Sequence, residues 1–237
     1  MITCYGFIIA GHTEAVLSVA FSSDRRQLAS GSGVAILSGS VIWTWNLWKL
    51  PNYGAFARSY SYPCSAVSSF NYGPCFPFFC HKNCVLYIAW SPDVKHLVSG
   101  SKAGELQCWD PQTGKASGNP LTGPKKWITG ISRGPLHLNA PCHRFVSPSK
   151  DGDARIWDVS LRKCVMCLTG HTIAVTCVKL GGDGVIYTGS QDCTSKMWET
   201  SQGKLICEFK GHGHWVNSLA LSTEYFLRTG AYDHTCK

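Results

Sequence analysis

Apolar and polar positions alternate along this chain in short runs separated by turn residues, the spacing of β-strands. Val85-Leu-Tyr-Ile-Ala-Trp90 alternates into one strand, Ser91-Pro92-Asp93 predicts a turn, and Leu97-Val-Ser-Gly-Ser101 pairs back. An earlier pair has the same form. Val16, Val19 and Phe21 lead into a turn at Ser23-Asp24-Arg25, and Leu28-Ala-Ser-Gly-Ser32 returns. Pro111-Gln-Thr-Gly114 predicts a turn into a further unit, which continues Trp127-Ile-Thr-Gly-Ile131. The pattern predicts an all-β chain of many short strands.

The strand pattern repeats as a unit. Trp157-Asp158 is followed by Gly170-His171, and Trp198-Glu199 by Gly211-His212; both the tryptophans and the histidines stand 41 residues apart. A Gly-His…Trp-Asp period of this length resembles the WD40 repeat, in which each unit supplies a four-stranded propeller blade. The resemblance implies that His171, Thr188, Asp192 and Trp198 are hydrogen-bonded across one blade. An imidazole can donate from one nitrogen and accept on the other, so it can join an Asp in a turn to a Thr hydroxyl. Such a buried chain has to be complete, because an unpaired member costs about 1–3 kcal/mol. Trp109, Asp151, Trp157, His212, Thr229 and Asp233 fall at equivalent lock positions in neighbouring units. Their expected role is structural, not catalytic.

The expected organisation is an incomplete WD40 β-propeller, about four to five blades of a larger ring. Residues 1–50 read as a first blade degenerate in its second half, where only Trp45-Asn46 resembles the closing dipeptide. Residues 51–79 carry four prolines, nine aromatics and the single charge of Arg58, with neither strand nor helix period. They read as an irregular, disordered insertion or as non-native coding sequence such as a read-through intron. Residues 80–237 read as further blades, three complete and the last truncated, because its closing Trp would fall at position 239. Ala103 stands where the second blade's locking Asp belongs, and Gly123-Pro124 replaces Gly-His in the third. That third unit is longer, with residues 135–144 expected as a loop.

Composition narrows the function classes. A formal charge of +8 suits an anionic partner, although no basic run exceeds a pair such as Arg25-Arg26 or Lys125-Lys126. The 13 cysteines, with no basic-then-apolar leader, read as reduced thiols; Cys108, Cys164, Cys167, Cys177 and Cys207 fall at apolar strand positions. Cys64, Cys75, Cys80, His81 and Cys84 could compose a zinc site, but only Cys80 and Cys84 approach ligand spacing, so no metal is expected. Gly33 to Trp48 is apolar yet shorter than the roughly 20 residues of a membrane helix. No phosphate loop, metal motif or nucleophile elbow is present, so neither catalytic residues nor a cofactor are expected.

The wording inside the repeats is more specific. GHTEAVLSVAFS (11–22), KKWITGIS with PLH (125–137), SKDGDARIWD (149–158) and GHGHWVNSLALSTEYFLRTGAYD (211–233) resemble the Notchless homologues. The resemblance spans residues 11–33 and 81–237. It implies a non-catalytic scaffold in assembly of the large (60S) ribosomal subunit, in the nucleolus and nucleus, with a link to Notch signalling. The implied partners are pre-ribosomal large-subunit particles, through protein and rRNA. The family's contact with a midasin-type AAA ATPase belongs to an N-terminal ubiquitin-like domain, and none precedes Gly11 here. A generic WD40 adaptor for signalling or ubiquitin ligation, and a non-functional propeller fragment, are the alternatives. Binding is expected on the rim where the turn before the locking Asp meets the start of the next inner strand. Lys102, Trp127, Lys150, Gln191, Trp215 and Tyr232 occupy that rim.

Overall fold

The structure is a computed structural model that describes residues 15–23, 27–33, 39–44, 76–79, 81, 83–134, 143–181 and 184–221. These residues form fifteen strands in four antiparallel sheets, each taking its strands in chain order. Sheet one contains β1 (Val16–Phe21), β2 (Gln27–Ser32), β3 (Gly39–Thr44) and β4 (Phe76–Phe79). Sheet two contains β5 (Val85–Trp90), β6 (Leu97–Ser101) and β7 (Leu106–Trp109), flanked by isolated bridges from Leu106 to Leu121 and from Trp109 to Ala116. Sheet three contains β8 (Ser132–Arg133), β9 (Arg144–Pro148), β10 (Ala154–Asp158) and β11 (Lys163–Leu168). Sheet four contains β12 (Val175–Leu180), β13 (Val185–Ser190), β14 (Ser195–Glu199) and β15 (Leu205–Phe209). Up-and-down sheets of three or four strands following one another in this way are the blades of an incomplete β-propeller.

Burial comes from stacking one blade on the next. Ala29 of β2 meets Val85, Ile88, Trp90, Leu97 and Trp109 in a first core. Val98, Leu106, Cys108 and Leu121 meet Ile128, Phe145, Trp157 and Val159 in a second. Val146, Ala154, Ile156 and Leu168 meet Val178, Leu180, Ile186 and Trp198 in a third. Leu97 and Val98 thus face opposite cores, as do Phe145 and Val146. A strand covered on both faces has no solvent side, which is why every residue of β6, β7 and β10 is buried, the polar Ser99, Gln107 and Arg155 included. The first strand, β1, leaves Val16, Leu17, Val19 and Phe21 exposed.

The recurring Ser-Gly-Ser wording has its reason at the same interfaces. A Cβ on Gly31, Gly100 or Gly189 would lie 2.8, 2.8 or 2.7 Å from Val85, Ile128 or Val216, the residue that opens the next unit. Only glycine admits an approach this close. The serine after it completes the joint: Ile128 N–H donates to Ser101 O at 3.3 Å, and Val216 N–H to Ser190 O at 3.1 Å. In the third blade Val175 N–H makes the same bond to Ser149 O at 3.1 Å.

Several expectations change on contact with the structure. Phe76–Phe79, expected within the irregular insertion, pairs with Gly39–Ile42 as the outer strand of the first blade. Residues 51–75 lie outside the described residues. The closing dipeptide of the first blade also shifts. In the other blades the motif tryptophan pairs with Leu97, Phe145 or Ile186, and the residue in that register opposite Leu28 is Trp43. Trp43-Thr44, not Trp45-Asn46, therefore holds the Trp-Asp position, because strand register follows the preceding hairpin and not the nearest look-alike dipeptide. Of the expected loop at 135–144, Arg144 already begins β9. Residues 135–142 lie outside the described residues. Cys108 is buried in the second core as expected, but Cys164 and Cys167 are exposed on β11. The seven cysteines among the described residues are free thiols. Among the same residues no helix is long and apolar enough to cross a membrane.

Candidate functional site

The second, third and fourth blades each carry a polar lock beneath one edge, and the locks hold the turns that form that edge. The fourth blade has the full set. Trp198 Nε1–H donates to Thr188 Oγ1 at 2.8 Å, and Thr188 Oγ1 lies 2.8 Å from His171 Nε2. His171 Nδ1 lies 2.8 Å from Asp192 Oδ2, and Thr172 N–H reaches the same oxygen at 3.2 Å. Thr194 donates to Asp192 Oδ1 from both its N–H (3.0 Å) and its hydroxyl (2.6 Å). One proton arrangement satisfies every member: indole to hydroxyl, hydroxyl to Nε2, Nδ1–H to carboxylate. Burial lowers the His171 pKa further than Asp192 raises it, which keeps the ring neutral. Burial pushes the Asp192 carboxyl up, but the hydrogen bonds from Thr194 and His171 prevail and hold it at about 2. A neutral imidazole sealed against its carboxylate, with 1% side-chain exposure, has no substrate within reach. Its chemistry is that of a clamp.

The other blades vary the lock. In the second, His81 Nε2 lies 2.6 Å from Ser99 Oγ, which accepts from Trp109 Nε1–H at 2.8 Å, and Ala103 takes the place of the Asp. Burial pushes the His81 pKa down to about 4. Of the zinc candidates, His81 is thus committed to the lock and Cys84 Sγ contacts Gly33 O at 3.1 Å. Cys64, Cys75 and Cys80 lie outside the described residues. In the third blade Trp157 Nε1–H donates to Ser147 Oγ at 2.9 Å and Lys125 N–H to Asp151 Oδ2 at 3.1 Å. Pro124 offers no imidazole to donate to Asp151, and Arg155 supplies the missing partner. Its Nη1 lies 2.9 Å from Asp151 Oδ2 and its Nη2 3.1 Å from Asp153 Oδ2. Sequence reasoning passed over Arg155. The signal was its position two residues before Trp157, matched by Gln107 before Trp109 and Lys196 before Trp198, all three polar and buried. His212 is exposed. Thr229 and Asp233 lie outside the described residues.

Above the locks lies the edge expected to bind. Lys102 N–H donates to Cys84 O, Lys150 N–H to Trp127 O and Gln191 N–H to Ala174 O, at 2.9, 2.9 and 3.0 Å. These bonds fasten the turn of each blade to the entry of its own first strand and line the residues along one rim. Adjacent blades touch there. Gly104 has φ +82°, and a Cβ on it would lie 2.6 Å from Pro124 O and 2.8 Å from Lys126 O. The close approach brings Lys102 over the Trp127 ring at 4.4 Å from its centroid, while Lys150 stands 3.8 Å from the same centroid. Three of the expected rim residues therefore form one cluster across two blades, with Trp127 38% exposed. Trp215 is exposed on the same edge one blade on from Gln191, its ring 5.2 Å from that of His214. Tyr232 lies outside the described residues. Among the described residues, no group of His, Cys, Asp and Glu is arranged to hold a metal ion.

The model of the WD domain, G-beta repeat, matches residues 3–41, 73–110, 162–199 and 203–237. The unmatched interval 111–161 contains the blade in which Pro124 and Arg155 replace the histidine. The Notchless protein homolog of Arabidopsis thaliana is 62% identical over 181 residues, covering 76% of this chain and 33% of that protein. Protein Notchless of Drosophila melanogaster is 45% identical over 156 residues, 48% of this chain and 32% of its own length. Ribosome assembly protein 4 of Saccharomyces cerevisiae is 48% identical over 101 residues, 42% of this chain and 20% of that protein. The chain thus spans a third or less of these relatives.

Proposed function

The chain belongs to the WD40-repeat family, and from that premise we propose that it is a non-catalytic docking platform in assembly of the large (60S) ribosomal subunit. The names of its relatives from yeast and plant support the reading, since one is an assembly protein of the ribosome and the other a Notchless homologue. The observation that carries it is the rim cluster, an exposed Trp127 bracketed by Lys102 and Lys150 on an edge set by the locks. Tryptophan dominates contact energies at interfaces, and a basic surface draws it toward anionic particles. The partner on this reading is a pre-ribosomal large-subunit particle, met in the nucleolus or nucleus. A midasin-type ATPase contact and a role in Notch signalling belong to the wider proposal for Notchless-like proteins and involve none of the rim residues named here.

Sucrose-gradient sedimentation of the tagged chain from cell lysate tests the proposal. Co-migration with large-subunit precursors that weakens as salt rises is the expected result. Migration as free protein at low salt would defeat it and leave the reading of a generic WD40 adaptor.

A further inference from the structure

The rim cluster has a chemistry more specific than docking. The ammonium nitrogens of Lys102 and Lys150 lie 4.4 and 3.8 Å from one ring centroid, hence within about 8 Å of each other. Lys125 and Lys126, both exposed, immediately precede Trp127 in the chain. Among the described residues none of these four lysines is in an ion pair. The neighbouring acid, Asp151, is already engaged by Arg155. Two ammonium groups without a carboxylate partner therefore flank one accessible indole, with two more exposed lysines immediately before it in the chain.

We infer that this cluster binds single-stranded RNA, one phosphate seated between Lys102 and Lys150 and an unpaired base stacked on Trp127. The inference deepens the docking proposal and rests on it only for biological setting. A nucleotide answers both halves of the cluster, because its phosphate takes the ammonium groups and its base takes the ring they leave. An apolar protein surface pressed on Trp127 would instead bury the two ammonium groups without counter-charges. An acidic peptide would satisfy the lysines and leave the indole unused. A duplex keeps its bases paired and offers no face to stack.

The test is fluorescence anisotropy of the full 237-residue chain with a labelled twelve-nucleotide oligoadenylate, titrated across salt concentrations. Lys102→Ala/Lys150→Ala is compared with Lys163→Ala/Lys204→Ala, which removes the same charge from exposed sites on other edges. The rim pair is expected to flatten the slope of log affinity against log salt by about 1.4, the value for two single-strand phosphate contacts, and the control pair to leave it unchanged. Trp127→Ala is expected to weaken binding roughly tenfold or more at fixed salt, with Trp127→Tyr recovering most of the loss. Circular dichroism of each variant identifies any that is misfolded, and the lysine pairs decide the matter if Trp127→Ala is one. Equal slopes for the rim and control pairs would overturn the inference, as would tighter binding of a duplex RNA or of an oligoglutamate peptide. The docking proposal is scored separately, by gradient co-migration of the unmutated chain.

Discussion

Thr188→Val isolates the lock from its packing. The two side chains have nearly the same shape, so the substitution opens no cavity, but it deletes the hydroxyl shared by Trp198 and His171. Trp198 is 3% exposed and the His171 side chain 1% exposed, so water cannot replace the hydroxyl at either nitrogen. Two buried groups each lose a partner at about 1–3 kcal/mol apiece, and valine recovers part of that through its extra methyl. The expected destabilisation is about 3 kcal/mol, a large share of the 5–15 kcal/mol typical of a domain. Thr188→Ser keeps the hydroxyl and loses one methyl, for about 1 kcal/mol. Serine is already adequate there, since Ser99 and Ser147 receive the tryptophan of the second and third blades. Urea unfolding followed by circular dichroism gives both values, provided the m-value is unchanged. If Thr188→Val proves no more costly than Thr188→Ser, the hydroxyl is not the keystone and the lock contributes only shape.

Three further outcomes are expected. Burial depresses the folded pKa of His81 to about 4 against about 6.5 unfolded, so its contribution is complete above pH 6.5 and is lost as pH falls through 4. That loss is on the order of 3 kcal/mol, and His81→Gln should flatten the stability–pH curve in this window by up to one proton, about 1.4 kcal/mol per pH unit. Asp192 acts in a separate window, its contribution complete above about pH 4 and lost toward pH 2, read from the same acid titration. Gly100→Ala puts a methyl 2.8 Å from Ile128 and should cost about 1–3 kcal/mol, with Ile128→Val restoring part of it in a double-mutant cycle of thermal melts. Arg155→Met strands Asp151 and should cost about 3 kcal/mol in urea unfolding, whereas Arg155→Lys, which retains charge but not the fork to both carboxylates, should cost less.

The sequence made the unit visible because both of its anchors recur at a fixed period, and a period survives local irregularity. Strand pairs such as 85–90 with 97–101 were legible from alternation and from the turn between them. Trp43 was not, because the dipeptide that looks most like the motif lies two residues further on, and only pairing with Leu28 decides between them. β4 was hidden for a related reason. An outer strand of prolines and phenylalanines is recognised by the neighbour it pairs with, not by a pattern of its own. Arg155 escaped because its role depends on the absence of a histidine 31 residues earlier, where Pro124 stands, and only the fold brings Arg155 and the neighbouring Lys125 N–H to one carboxylate. The rim residues could be listed from their places in the repeat. That Lys102, Trp127 and Lys150 converge while Gln191 stands apart depends on side-chain reach between blades.

Locks and rim are physically one device, and the second blade shows why. Lys150 and Gln191 each precede a carboxylate, Asp151 or Asp192, that is anchored inside its own blade. Lys102 precedes Ala103, so its turn has no such anchor. It keeps the bond from Lys102 N–H to Cys84 O and the Ser101 Oγ that accepts from Ala103 N–H at 3.2 Å and Glu105 N–H at 3.3 Å, and it adds the seating of Gly104 against the carbonyls of Pro124 and Lys126. The turn that carries Lys102 is therefore held both by its own blade, through Cys84 and Ser101, and by the neighbouring blade against Gly104, and the residue it reaches over, Trp127, belongs to that neighbouring blade. A side chain at position 104 would push the turn off Pro124 and Lys126 and take Lys102 away from the ring. Gly104→Ala should consequently reproduce the binding loss of Lys102→Ala while every lysine remains in place. Substituting an Asp at Ala103 would give the turn an anchor of its own and leave the cluster intact only if the new carboxylate accepts from His81 without pulling the turn away from Pro124. Anisotropy with the same oligonucleotide distinguishes these cases, because charge is constant in the first and geometry is the only thing that changes.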